Sequence, residues 1–117
     1  VVKRADGELE FEILTILWAS VAPLQPSEVR ERTSGDLAYT SVATVLTRLW
    51  EKGLVARTQT GRAYAYSAAV SRADWDSRRM AAVLDEAPDH HSLLAKFVGR
   101  LSKKDLAELR RVLDETA

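Results

Sequence analysis

Between Tyr39 and Lys52 the chain interleaves small hydroxyl residues with aliphatic ones in an order that only a helix sorts onto separate faces. Val42, Val45, Leu46 and Leu49 recur at i, i+3, i+4 and i+7 and form one apolar stripe, which Gly53 then stops. The opposite side carries Thr40, Ser41, Ala43, Thr44, Thr47 and Arg48, in place of the Glu and Lys that an ordinary solvated helix prefers. Short hydrogen-bonding side chains with an Arg near the end suit a helix whose outer face approaches base edges in a major groove. Two β-rich segments follow, from Leu54 to Thr58 and from Ala63 to Ser67, joined at Thr60-Gly61 and carrying Arg57 and Arg62. A helix feeding a basic β-ribbon predicts a winged helix-turn-helix.

The flanking sequence supplies the other parts. A first helix is expected from about Gly7 to Ser20, with Asp6 as N-cap and Leu9, Phe11, Ile13, Leu14, Ile16, Leu17 and Trp18 on its apolar side. Val21 to Gln25 reads as a connector. Pro26 opens a second helix, to about Thr33, where its missing N–H costs nothing. Ser34-Gly35-Asp36 is then the turn before the reading helix, completing a helix-turn-helix.

Beyond residue 70 the pattern becomes purely helical, so the expected division is 1–70 for the winged helix-turn-helix and 71–117 for a helical dimerisation region. Ser71-Arg72-Ala73-Asp74 is a capping box, and the helix after it passes Trp75, Arg79, Met80, Val83 and Leu84 before ending near Pro88. Another helix is expected from about Ser92 to Leu101, with Leu93, Leu94, Phe97 and Val98 on one side. Ser102-Lys103-Lys104-Asp105 repeats the capping pattern ahead of Leu106, Leu109, Val112 and Leu113. These helices are too short and one-sided to stand alone. A second copy of the chain is the economical cover, with Trp75, Met80, Leu84, Leu94, Phe97, Val98, Leu106, Leu109 and Leu113 at the interface. The fold class expected is mainly α with a small β-hairpin.

Composition narrows the function. Hydrophobic residues make up 46% of the 117, enough for a core. The absence of cysteine excludes disulfides and thiolate metal sites and fits a cytoplasmic protein. No apolar run approaches the ~20 residues that cross a bilayer, so no membrane insertion is expected. Val1 stands where an initiator Met would, which fits processing or trimming, and the residues after it carry no secretory pattern. Formal net charge is +0, which is awkward for binding phosphates. Its distribution is more favourable, because residues 36–70 pair Arg48, Lys52, Arg57 and Arg62 against only Asp36 and Glu51.

His90-His91 has no partner cluster and reads as a turn leading into a helix. No paired acids, Ser/His/Asp order, glycine-rich phosphate loop or His-Glu-x-x-His occurs, so neither an enzyme nor a cofactor or metal site is expected. Arg48 could pair with Glu51 or meet a phosphate. Tyr39 could touch DNA or staple the helix start, and Tyr64 and Tyr66 should pack one sheet face. Two other functions fit the same elements. A winged helix can dock a protein partner, or Trp75 and Met80 could line a small-ligand pocket of a one-component sensor.

In three stretches the chain resembles the BlaI/MecI/CopY family of bacterial winged-helix repressors, named for penicillinase and methicillin-resistance regulation. They are Glu8 to Leu14 with Trp18, Tyr39 to Leu49 with Lys52-Gly53-Leu54, and Gly61-Arg62-Ala63-Tyr64-Ala65-Tyr66. The likeness continues through Ser92 to Phe97 and Leu106 to Arg110. It implies a homodimeric repressor of double-stranded DNA that binds an inverted-repeat operator, often with TACA/TGTA-like half-sites. It also implies a membrane-bound zinc metallopeptidase sensor as partner and release by tail proteolysis in response to β-lactams. The family's reading positions fall on Thr40, Ser41 and Thr44, with Arg48 a turn on, and its wing contacts fall near Gly61 and Arg62. Tyr39, Thr47 and Arg57 complete the candidate DNA-binding set. The family's cleaved Asn-Phe pair matches Lys96-Phe97, with Lys96 in the Asn position. The tail cysteine pairs of the copper-responsive branch have no counterpart, which argues against copper sensing.

Overall fold

The apolar stripes set the architecture. The computed structural model describes residues 6–116, so residues 1–5, Ala117 and the capping role expected of the Asp6 side chain lie outside the described residues. The elements are α1 (Asp6–Trp18), α2 (Pro26–Arg32), α3 (Tyr39–Glu51), β1 (Val55–Thr60), β2 (Ala63–Ala68), α4 (Arg72–Glu86), α5 (His90–Arg100) and α6 (Lys103–Thr116). The chain divides into two compact units after Asp76.

In the first unit, Ile13 and Leu14 of α1, Val29 of α2, and Val42, Leu46 and Leu49 of α3 are fully buried. Each such side chain contributes roughly 1.5–3 kcal/mol when taken out of water. The stripe read from the sequence of α3 is thus the side that enters the core. Gly53 ends α3 with a left-handed φ of +76°. Its N–H donates to the Trp50 carbonyl at 3.0 Å, and the Leu54 N–H donates to the Leu49 carbonyl at 2.9 Å. That pair of bonds is a Schellman stop, and its usual apolar contact is present because Leu49 and Leu54 are both buried. β1 starts one residue later, leaving almost no slack between helix and hairpin.

The hairpin pairs Thr60 with Ala63 and Val55 with Ala68. Gly61-Arg62 therefore forms the turn, one residue beyond the expected junction. Gly61 has φ +65° and, among the described residues, no non-glycine residue has a positive φ, as a type II′ turn requires. The segment expected to be a plain connector adds a further rung. The Leu24 N–H donates to the Tyr66 carbonyl at 2.9 Å, and the Tyr66 N–H returns the bond at 2.7 Å. Pro26 favours this by holding Gln25 extended, at φ −76° and ψ 157°.

The start of α4 closes the first unit. Trp75 is 8% exposed and stacks on Phe11 with ring centroids 5.1 Å apart, while Trp18 meets both rings edge-on. The Trp18 indole N–H donates to the Val70 carbonyl at 2.9 Å. Trp75, expected at a dimer interface, is therefore a core residue.

The tail helices are capped. Ser71 Oγ accepts from the Asp74 N–H at the head of α4, within the first unit, and Ser102 Oγ accepts from the Asp105 N–H at the head of α6, in the second, both at 3.0 Å. α5 begins at His90, two residues before the expected start, because Asp89 caps it. The Ser92 N–H donates to Asp89 Oδ1 at 3.1 Å and the Ser92 hydroxyl to Oδ2 at 2.7 Å. The Ser92 hydroxyl, then its N–H, hold the Asp89 carboxyl below its ordinary value of 3.8. No residue of α5 or α6 is buried. Met80, Val83, Leu94, Phe97, Val98, Val112 and Leu113 are all exposed.

Two outcomes follow from this packing. Trp75→Ala should lose about 3–5 kcal/mol of stability, measured by urea unfolding, because it empties an aromatic cluster; a loss near zero would contradict its burial. The Asp89 cap should hold throughout the pH range above ordinary carboxylate titration and be lost as pH falls through the lowered Asp89 value. NMR titration of the Asp89 carboxyl checks this, and Ser92→Ala should move the midpoint up toward 3.8.

Candidate nucleic-acid interface

Three polar contacts hold α3 in place from behind. The Glu12 carboxylate accepts from the Ser34 N–H at 2.6 Å and from its hydroxyl at 3.0 Å, tying α1 to the turn after α2. Arg30 Nε donates to the Leu37 carbonyl at 2.7 Å, just ahead of α3. Lys52 pairs with Glu10 at 2.8 Å, anchoring the far end of α3 to α1. Exposed pairs of this kind are worth up to about 1 kcal/mol, so their effect is on orientation more than on stability.

The face turned outward carries the expected residues. Thr40, Ser41, Thr44 and Arg48 are exposed, and Tyr39 opens the helix at 48% exposure. Among the described residues, the hydroxyls of Thr40, Ser41 and Thr44 have no hydrogen-bond partner and Arg48 has no ion pair, not even with Glu51. Thr47 differs. It is half-buried, and its hydroxyl donates to the Ala43 carbonyl at 3.0 Å, so its methyl is the group left to offer. Ala38 at the N-cap makes no side-chain bond to the helix. The N–H groups of Tyr39 and Thr40 are therefore available to an anion, whereas that of Ser41 already donates to the Ala38 carbonyl at 3.1 Å.

On the hairpin, Gly61 and Arg62 are exposed at the tip, and Arg62 has no ion pair among the described residues. Arg57 is half-buried. Its guanidinium lies 3.6 Å from the Trp50 ring centroid and 4.1 Å from that of Tyr64. Each cation–π contact is worth about 0.5–1 kcal/mol at an exposed site. Tyr64 and Tyr66 do share a sheet face, since their register partners are Gln59 and Arg57. Only Tyr66 reaches the core, at 4% exposure, while Tyr64 remains 42% exposed against Arg57. Trp50 and Tyr64 were absent from the expected set. The one hint in sequence was a Trp just off the apolar stripe of a helix whose outer face is otherwise short-chained. With Lys52 neutralised by Glu10, the free positive charge of this face rests on Arg48, Arg57 and Arg62.

The tail residues form a separate surface. Lys96-Phe97 lies in the middle of α5. Phe97 joins Met80, Val83, Leu84, Leu93 and Leu94 around an open apolar groove of about 320 Å³. Val98 and Leu113 are exposed, and Leu106 and Leu109 half-buried. Among the described residues there is no cluster of three or more His, Cys, Asp or Glu that could hold a metal ion. Likewise, no helix among them is long and apolar enough to cross a membrane.

Helix, turn, third helix with an outward polar face, and wing, in this order, define a winged-helix transcription regulator. The chain belongs to the penicillinase repressor family, which it matches over residues 6–115. It is 36% identical over 114 residues to the transcriptional regulator BlaI of Mycobacterium tuberculosis, in two strains, covering 93% of this chain and 83% of the relative. Among solved structures it is similar to YusO from Bacillus subtilis, at 19% identity and TM-score 0.50, covering 95% of this chain and 75% of that one. The Helicobacter pylori ferric uptake regulator Fur is also similar, at 14% identity and TM-score 0.50, over 73% and 74% of the two chains. At such identities the likeness to these two is one of fold. The family is one of transcriptional repressors, not of enzymes.

Proposed function

We propose that the chain is a homodimeric repressor that blocks transcription by occupying an inverted-repeat operator, with α3 in the major groove and the hairpin on the phosphates. The observation that carries this reading is the set of unpartnered groups on one side of the first unit. Thr40, Ser41 and Thr44 offer free hydroxyls, and Arg48 and Arg62 offer free guanidinium groups. A solvated face selected only for stability would carry Glu–Lys pairs. Thr40, Ser41 and Thr44 read bases, with Tyr39 and the Thr47 methyl at the margins. Arg48, Arg57, Gly61 and Arg62 meet the backbone.

Dimerisation is supported by the second unit. Helices of 15, 11 and 14 residues are marginal alone in water, and α5 and α6 bury none of their residues. A second copy laid on Met80, Leu84, Leu94, Phe97, Val98, Leu106, Leu109 and Leu113 covers that surface and supplies the second reading head. Release by proteolysis fits the same layout. A cut at Lys96-Phe97 would detach α6 and part of α5, and with them most of the apolar residues that hold the copies together. A membrane-bound zinc metallopeptidase responding to β-lactams is the partner that this family reading implies.

Fluorescence anisotropy on a duplex with a TACA/TGTA inverted repeat, against a scrambled one, tests the reading. Tighter binding to the repeat by two chains is expected. Arg62→Ala should weaken both duplexes alike and lower the log–log salt slope by about 1.8, one phosphate for each of the two chains. Thr44→Ala should instead relax sequence preference, and equal losses on both duplexes would remove Thr44 from base reading. Deleting residues 77–117 should give a monomer by sedimentation, with much weaker operator binding; an unchanged dimer mass would sink the tail interface.

A further inference from the structure

Arg57 is held in a way that no other cation of the binding face is. It sits on β1, at the seam where the hairpin passes the end of α3, with its guanidinium against the Trp50 ring on one element and the Tyr64 ring on another. Both rings are 42% exposed, so neither is there to fill the core. Centroid distances of 3.6 and 4.1 Å put both rings in contact with the guanidinium carbon. Among the described residues its N–H groups have no hydrogen bond or ion pair. A planar fork of donors held by rings, with its N–H groups unpartnered, matches a phosphate, which accepts two parallel N–H bonds. A base edge in the groove is a poorer match, because a side chain pinned by two rings cannot extend away from the protein surface.

We propose that Trp50 and Tyr64 are positioning residues that hold Arg57 as a preformed fork for one backbone phosphate, at the junction of α3 and the hairpin. The proposal rests on the DNA-binding reading above and deepens it. A free arginine loses side-chain entropy when it grips a phosphate, whereas one already stacked has lost it before DNA arrives. The Trp50 ring also links the angle of the fork to the axis of α3, so the phosphate contact and the base contacts come into register together.

The test uses the full chain and a fluorescent duplex of scrambled sequence, titrated over a series of salt concentrations. Arg57→Ala should lower the log–log salt slope by about 0.9 for each protomer that contacts the duplex, about 1.8 for a dimer with both heads engaged. Arg57→Lys should keep the slope but bind more weakly, since an ammonium keeps the charge and loses the planar stack. Trp50→Ala should keep the slope and lose roughly three- to tenfold in affinity for each protomer engaged at every salt concentration, the cost of immobilising one side chain per protomer. Trp50→Phe should recover most of that loss, and Tyr64→Ala should repeat the Trp50→Ala result from the other ring. Thermal unfolding of each variant checks folding. An Arg57→Ala slope equal to wild type would overturn the proposal and leave the stack as a brace between helix and hairpin. Trp50→Ala and Tyr64→Ala binding as tightly as wild type would overturn the positioning role. If the wild type itself shows no salt-dependent binding, the DNA-binding reading falls first, and that result is visible before any variant is made.

Discussion

Burial of one face of α3 is the constraint on which the first unit depends. Val42, Leu46 and Leu49 are fully buried and Val45 nearly so, which fixes the rotation of the helix about its axis. Once that rotation is set, Thr40, Ser41, Thr44 and Arg48 have no direction to point but outward. The Schellman stop at Gly53 carries the constraint onward, because Leu54 must return to the core beside Leu49 and Val55 must begin a strand at once. The hairpin then has one place to lie, against Leu24 and Trp50. The third helix α3 and the hairpin are thus one mechanical piece, braced from behind by Glu10, Glu12 and Arg30.

Periodicity and punctuation made much of this legible. The α3 stripe, Pro26 at the head of α2, Gly61 in the hairpin turn, and Ser71 and Ser102 as caps are local signals, and each depends on neighbours within a turn or so of chain. The features that were not legible are those whose partners are distant or ambiguous. Leu24 bonds to Tyr66 across 42 residues of sequence, and nothing in Val21 to Gln25 announces it. Asp89 is an ordinary cap, hidden because the two histidines after it look like turn residues when they are the first residues of α5. Trp75 follows a capping box and looks like part of a tail helix. It belongs to the first unit because Phe11 and Trp18 offer a larger aromatic surface than the tail does.

The candidate site divides along the same line. Thr40, Ser41, Thr44, Arg48 and Arg62 could be named from sequence because a polar face opposite an apolar stripe is a property of one helix, and a turn arginine a property of one hairpin. The seating of Arg57 between Trp50 and Tyr64 could not, because it depends on how helix and hairpin meet. Thr47 looked equivalent to Thr44. Its bond to Ala43 follows from its place on the flank of the helix, where a hydroxyl competes for a backbone carbonyl instead of facing solvent.

The charge pattern bears on how such a protein would search a genome. The chain as a whole is neutral, and on the proposed reading its attraction to DNA comes from Arg48, Arg57 and Arg62 on one small surface. The field of so few charges fades within about 8 Å at physiological salt. Long-range steering is then weak, and so is the general stickiness that strands strongly basic proteins on the millions of non-cognate sites around them. Residence would be decided almost entirely after contact, by whether fixed donors meet phosphates and hydroxyls meet bases at the same instant. On that reading, a neutral chain with a rigid binding face would give up speed of arrival and keep more of its molecules free to find an operator.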